Sequence, residues 1–199
     1  MAARYATLFV GDLDRDADGR RRLAAFAEMA ATRSGVVADL GCGPGHVVDH
    51  LHGLGLAAIG YDLSPGQIAQ ARSAFPDAQF HVGDLAALDV ADSSLGGIVA
   101  RYSLIHMPPS RFGDVFGEWI RVLEPGAPVL VSFFASSSAE AHGSTFDHAV
   151  VTAYELFPPT MVRLLQDAGF THVQFGLCDP PDGERPLDHA TVLARKRGT

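Results

Sequence analysis

Short apolar runs alternate along this chain with segments whose apolar residues recur at helical spacing. Val36 to Leu40 reads as a buried strand, ended by Gly41-Cys42-Gly43-Pro44-Gly45. From His46 to Leu54 the spacing is helical, with Val47, Val48 and Leu51 on one side. Ala57 to Tyr61 is a second strand. After it, Ser64 as N-cap, Pro65 at the first helical position and Gln67 three residues beyond Ser64 predict a helix opened by a capping box. Gln79 to Val82 and Gly97 to Arg101 follow as third and fourth strands. The apolar stripe of Phe112, Val115, Phe116, Trp119 and Val122 predicts a helix over Pro109 to Leu123, and Leu123-Glu124-Pro125-Gly126 turns it into a fifth strand, Val129 to Phe134. A polar stretch comes next, then a helix from about Pro159 to Ala168 stopped by Gly169. Strands at Phe170 to Leu177 and Ala190 to Arg195 close the pattern.

Strand–helix alternation with compact connections predicts an α/β domain, doubly wound, with a mostly parallel sheet. The last two strands have no helix between them, so at least one of them runs antiparallel. Residues 1–34 form an N-terminal cap with one helix near Gly19 to Ala31, residues 35–134 the ligand-binding half, and 135–199 a loop, the last helix and the final strand pair. At 199 residues one domain is expected.

Composition narrows the function. A net charge of -8 argues against nucleic-acid phosphate or an anionic membrane as partner. The longest apolar runs, such as Pro128 to Ala135, are strand-sized. Two cysteines make no disulfide framework, and Met1 to Val10 lacks a basic region followed by a long apolar run, so a cytoplasmic location is expected.

Open α/β sheets bind ligands beyond the carboxyl ends of their strands, and here the first strand delivers Asp39 and a glycine turn to that edge. Glycines let the backbone turn tightly and approach a ligand closely. Asp62 lies 21 residues after Gly41, directly after the second strand, where a carboxylate accepts hydrogen bonds from both hydroxyls of an adenosine ribose. Two adenosine cofactors fit such a pair. NAD asks for G-x-G-x-x-G beneath a pyrophosphate. The G-x-G-x-G spacing here, with Asp39 two residues upstream, disfavours a pyrophosphate and suits the ammonium of a methionine moiety.

The sequence therefore resembles the class I S-adenosylmethionine-dependent methyltransferases, and the resemblance runs over essentially the whole chain. Asp39, Gly41, Cys42, Gly43 and Gly45 match the family's glycine-rich first motif, and Tyr61-Asp62-Leu63-Ser64 its ribose motif. Val82-Gly83-Asp84-Leu85 is similar to the segment whose acid contacts the adenine amino group while the next backbone N–H reaches the ring. Ala100 to His106 falls where the family faces the methionine end, with Ala100 and Ser103 as expected contacts. Leu123-Glu124-Pro125-Gly126 resembles the turn before the fifth strand, although Ala127 replaces the usual second glycine. The resemblance implies a Rossmann-like seven-stranded sheet of order 3-2-1-4-5-7-6 with strand seven antiparallel. It also implies methyl transfer from a sulfonium to a nucleophile, for which alignment is the main requirement and a base optional.

The expected acceptor is a small molecule, its atom (O, N, C or S) unspecified. A cap of about 34 residues and one short loop predicts a shallow acceptor site. His106 is the candidate base, with a loop-orienting histidine as the alternative. Tyr5 either folds over the cofactor or packs with Leu8 and Phe9. Arg101 pairs with a cofactor carboxylate, an acidic substrate or a structural acid. His142, Asp147, His148 and Tyr154 lie in the expected lid. No metal is expected: an EF-hand reading from Asp14 to Gly19 places Ala25 where a bidentate Glu is required, so these acids, Asp18 especially, are read as helix caps. His46, His50 and His52 lack a completing ligand. Cys42 is read as a small filler rather than a nucleophile. Two rivals remain: a non-catalytic protein that binds S-adenosylmethionine or S-adenosylhomocysteine, and an NAD-dependent oxidoreductase.

Overall fold

Strands buried on both faces read as continuous apolar runs, and their alternate residues divide between two cores. A computed structural model of the chain describes residue 13 and residues 16–148, 151–178 and 188–198. In it Val36–Leu40 (β1), Ala58–Asp62 (β2), Gln79–Val82 (β3), Leu95–Arg101 (β4), Pro128–Phe134 (β5), Phe170–Cys178 and His189–Lys196 form a seven-stranded sheet. A short hairpin, Thr145–His148 (β6) and Val151–Tyr154 (β7), stands apart from it, so the last two sheet strands are β8 and β9 in chain order. The sheet order is β3-β2-β1-β4-β5-β9-β8, with β9 antiparallel to both neighbours. That is the expected order, and the strand sequence reverses between β1 and β4, which pair in parallel beside each other.

On one face lie Ala17–Ala30 (α1), His46–Gly53 (α2) and Pro65–Ala74 (α3); Leu23, Phe26, Val48, Leu51, Ile68 and Ala71 meet Val37, Val99 and Leu130 there. The other face is covered by Phe112–Val122 (α4) and Pro158–Ala168 (α5), whose Phe112, Phe116, Trp119, Met161 and Leu165 pack on Ala38, Leu40, Ile98, Ala100, Val129 and Val131. Neighbouring residues of one strand, Val37 and Ala38 or Val99 and Ala100, thus serve opposite cores.

Several elements depart from the sequence expectation for local reasons. The helix expected from Pro109 begins as a 3-10 turn, Pro109–Arg111, before α4, with Pro108 extended ahead of it. The capping box at α3 is half formed. Ser64 Oγ accepts from the Gln67 N–H at 3.3 Å, but the Ser64 N–H goes to Asp62 Oδ1 at 2.8 Å, leaving Gln67 Oε1 buried without a partner. The cap of α1 is Asp16 rather than Asp18: Asp16 Oδ1 accepts from the Gly19 N–H at 2.7 Å, while Asp18 pairs with Arg21 and Arg22. The polar stretch after β5 contains the hairpin β6–β7. No helix joins β3 to β4; residues 83–94 run as turns. Among the described residues no helix is long and apolar enough to cross a membrane.

Phe26 is fully buried, its ring lying against the Gly97 backbone of β4. Replacing it with alanine should cost about 3–5 kcal/mol in urea unfolding; a loss under 1 kcal/mol would mean that α1 is not docked there.

Candidate cofactor and acceptor site

The site begins with the backbone after β1. The Gly41 and Cys42 N–H groups both donate to the Tyr61 carbonyl, at 2.7 and 3.0 Å, so the turn is hung from the end of β2. Gly41 (φ 78°) and Gly43 (φ 51°) lie in the left-handed region that side chains disfavour. A Cβ on Gly41 would also stand 2.3 Å from Ser103 Cβ, whereas one on Gly43 would meet nothing within 4 Å. Gly41 is therefore a packing glycine, and Gly43 borders open space.

Asp62 ties the second edge of the turn. Its Oδ2 accepts from the Gly43 N–H at 2.9 Å and its Oδ1 from the Ser64 N–H at 2.8 Å. Each oxygen keeps a further lone pair. Beside it Leu63 is 71% exposed, a large apolar side chain left in solvent.

Asp39 occupies the floor. It is 1% exposed, and its Oδ2 has no hydrogen-bond partner among the described residues. Burial pushes its carboxyl up to about 7, opposed by the Arg101 guanidinium and reinforced by the Asp62 charge. Arg101 itself is held elsewhere: its Nη2 donates to Asp16 Oδ2 at 2.6 Å, and its Nε is buried without a partner among the described residues. Of the uses expected for Arg101, the structure displays the structural ion pair, made with the N-cap of α1. Ser103 Oγ, over Gly41, is likewise buried and without a partner among the described residues. Asp39 Oδ2, Arg101 Nε and Ser103 Oγ are orphaned polar atoms grouped at the ends of β1 and β4. Such atoms are costly to bury unless a ligand completes them.

At the next strand end Asp84 is half exposed; its Oδ1 accepts from the Ala86 N–H at 2.9 Å and its Oδ2 stands 3.9 Å from Arg111. The Leu85 carbonyl accepts from Trp119 Nε1 at 3.0 Å. Ala100 is fully buried in the core and Cys42 packs against Gly60, so either one reaches the crevice only through its backbone. Burial drives the Cys42 thiol far above its ordinary value, which leaves it inert.

Beyond β4, His106 ends a 3-10 turn, Leu104–His106, and its Nδ1 lies 3.4 Å from the Thr152 carbonyl of β7. A carbonyl only accepts, so in this pairing Nδ1 carries the proton and Nε2 is the basic nitrogen. Burial lowers the imidazole below its usual value and keeps it neutral. Tyr102 adopts φ 53°, unusual for a side-chain-bearing residue, and its Oη meets His189 Nδ1 at 2.8 Å. Its ring, with Phe134, Phe146 and His189, forms an aromatic group at the ends of β4, β5 and β9. The Tyr102–His189 contact has no local signal in the sequence, since neither a positive φ nor a pairing across 87 residues leaves one; Asp16 is one of the acids read as helix caps, but its pairing with Arg101 is equally without a signal.

Among the expected lid residues, His142 is structural: its Nδ1 accepts from the Phe157 N–H at 3.0 Å, at the start of α5. Tyr154 is half-buried on β7. Tyr5 and the side chains of Asp147 and His148 lie outside the described residues. His46 stacks edge-on against Phe75, and His52 Nε2 bonds the Ala58 carbonyl at 3.0 Å. Among the described residues no three His, Cys, Asp or Glu side chains gather as a metal site.

A seven-stranded sheet of this order, with a glycine turn after β1 and an acid after β2, is the arrangement that the resemblance to class I S-adenosylmethionine-dependent methyltransferases implies. Residues 37–126 match the family model described as a methyltransferase domain. Over 91 residues the chain is 46% identical to the trans-aconitate 2-methyltransferase of Escherichia coli O157:H7, a match covering 45% of this chain and 35% of that protein. The match thus spans about a third of the curated relative's length. Among solved structures, the 1,6-didemethyltoxoflavin-N1-methyltransferase of Burkholderia thailandensis, with bound 1,6-didemethyltoxoflavin and S-adenosylhomocysteine, superposes with a TM-score of 0.70 at 23% identity over 99% of this chain and 91% of that one. The [4+2]-cyclase SpnF gives 0.75 at 19% identity, over 90% and 82%. These likenesses between structures concern the fold.

Between about pH 4 and 7 the folded chain holds a proton on Asp39 that the unfolded chain has released, so stability falls as pH rises through that window. Asp39→Asn should remove this slope and be more stable than the parent by about 1–4 kcal/mol at pH 8. Denaturant unfolding at pH 5 and pH 8 measures it; parallel pH dependences for the two proteins would contradict the burial of the charge.

Proposed function

We propose that this chain is an S-adenosylmethionine-dependent methyltransferase that methylates a small-molecule acceptor and releases S-adenosylhomocysteine. The observation that carries the reading is the pair of carboxylates flanking one glycine turn. Asp39 is buried with an unpartnered oxygen, a demand for a cation or donor, and Asp62 offers lone pairs to a diol. A zwitterionic nucleoside satisfies both, and a pyrophosphate does not.

In this reading Asp39 receives the ammonium, directly or through water, and the open side of Gly43 admits the ligand to the backbone of Gly41 to Gly45. Asp62 takes the ribose hydroxyls, and Leu63 covers a face of the adenine with its exposed side chain. Asp84 accepts from the adenine amino group and the Leu85 N–H faces the ring. Ser103 Oγ and the Ala100 backbone border the methionine end, where Arg101 Nε is oriented for a carboxylate. When bound, the cofactor supplies a methyl group already made electrophilic by its sulfonium. The chain's contribution is alignment, and His106, its Nδ1–H directed at Thr152, presents Nε2 to take the acceptor's proton. The hairpin β6–β7 carries that carbonyl and so sets the angle of the base.

The net charge of -8 supports a small molecule over a polyanionic acceptor. The substrates printed in the names of the trans-aconitate and 1,6-didemethyltoxoflavin methyltransferases, both small molecules, support it further.

Calorimetric titration with S-adenosylmethionine, S-adenosylhomocysteine and NAD tests the cofactor. Both adenosyl ligands should bind, at least tenfold more weakly to Asp62→Ala, and NAD should not; binding of NAD alone would favour an oxidoreductase. With a panel of small carboxylic acids and N-heteroaromatics as acceptors, His106→Gln should lower kcat by about 10²–10⁴-fold with little change in KM. Cofactor binding without turnover of any acceptor would favour the non-catalytic binding protein.

A further inference from the structure

The segment between β3 and β4 has no helix, yet it presents Asp84 and Leu85 to the crevice, and helix α4 supplies what holds it. Trp119 Nε1 donates to the Leu85 carbonyl at 3.0 Å. The N–H at the other end of that same peptide, on Ala86, donates to Asp84 Oδ1 at 2.9 Å. One peptide plane is thus gripped from below by an indole and in turn grips the carboxylate. Further along, Glu118 Oε1 accepts from the Leu88 N–H at 2.7 Å, and Arg121 donates to the Leu88 and Val90 carbonyls at 3.0 and 2.9 Å and to Asp92 at 2.6 Å. Glu118 and Arg121 are joined to each other, Arg121 Nη2 donating to Glu118 Oε1 at 2.8 Å and its Nε to Oε2 at 2.8 Å, so the two anchors act as a unit.

We propose that Trp119, with the Glu118–Arg121 pair, is a positioning device for nucleobase recognition, setting the Leu85–Ala86 peptide and through it the orientation of Asp84. The inference rests on the adenosyl-cofactor reading above. Trp119 is fully buried and acts through the peptide. With Asp84 Oδ1 bonded to the Ala86 N–H, Oδ2, which stands 3.9 Å from Arg111, is the oxygen that accepts from an exocyclic amino group. A base bearing a carbonyl oxygen there, as in an inosyl analogue, meets that oxygen acceptor to acceptor. Discrimination between the two bases therefore depends on how firmly the peptide is held.

The test is the ratio of affinities for S-adenosylhomocysteine and S-inosylhomocysteine, measured calorimetrically on the full chain. The parent should favour the adenosyl ligand, and Asp84→Asn should erase most of that preference. Trp119→Phe, which removes only the N–H and the smaller ring's worth of packing, should narrow the ratio by about three- to tenfold, as expected for one hydrogen bond. Arg121→Gln, at the partly exposed end of the network, should narrow it in the same direction if Trp119→Phe does not fold. A general loss of packing would lower the melting temperature and leave the ratio where it was. Folded Trp119→Phe or Arg121→Gln protein with the parental ratio would overturn the positioning role, whereas a parent that binds neither ligand would overturn the adenosyl reading beneath it.

Discussion

The structure is organised around a buried carboxyl group, Asp39, that keeps one oxygen without a hydrogen-bond partner among the described residues. Asp39 is carried into the interior by β1, between β2 and β4, and the backbone that follows has no freedom to bring it out. Gly41 is pressed against Ser103, and the turn is suspended from the Tyr61 carbonyl. The nearby cation, Arg101, is committed at one end to Asp16 and softens the burial without removing it. A buried carboxyl pushed toward its neutral form, with one oxygen unpartnered among the described residues, marks a candidate functional site.

The surrounding fold converts that constraint into a directional site. Parallel strands bring Asp39, Asp62 and Arg101 to a common edge, where the strand order reverses. Asp62 meets the turn from one side, and the strand-four end delivers Ser103 and His106 from the other. Three remote elements then fix what the strands leave loose. The α1 cap holds Arg101 through Asp16, the hairpin orients His106 through Thr152, and α4 holds the helix-free segment after β3. The α1 contact comes from one face of the sheet, whereas α4 and the hairpin pack with the core of the other.

Much of this was legible in the amino-acid sequence because it follows from local rules. Apolar runs located the strands of the sheet, Gly169 marked the end of α5, and the acids at 39 and 62 flanking a glycine cluster pointed to the cofactor class. The hairpin was hidden, since Thr145 to Tyr154 carries neither a long alternation nor a glycine turn. The half-formed capping box was hidden as well, because the Ser64 N–H had a stronger competitor in Asp62 than in Gln67. The Tyr102–His189 contact, the Asp16–Arg101 pair and the Trp119 hydrogen bond join residues 87, 85 and 34 positions apart, and only the folded sheet brings them together.

Asp39 is a buried acid, proposed to take the ammonium of the cofactor as its partner. Carboxyl-carbon NMR of Asp39, identified by comparison with Asp39→Asn, follows its ionisation directly with and without saturating S-adenosylhomocysteine. The ligand-free protein should titrate near 7. The bound protein should titrate at least about one unit lower, because the ammonium stabilises the ionised form. An Asp39 that titrates near ~4 in the free protein, or does not respond to the ligand, would contradict the account.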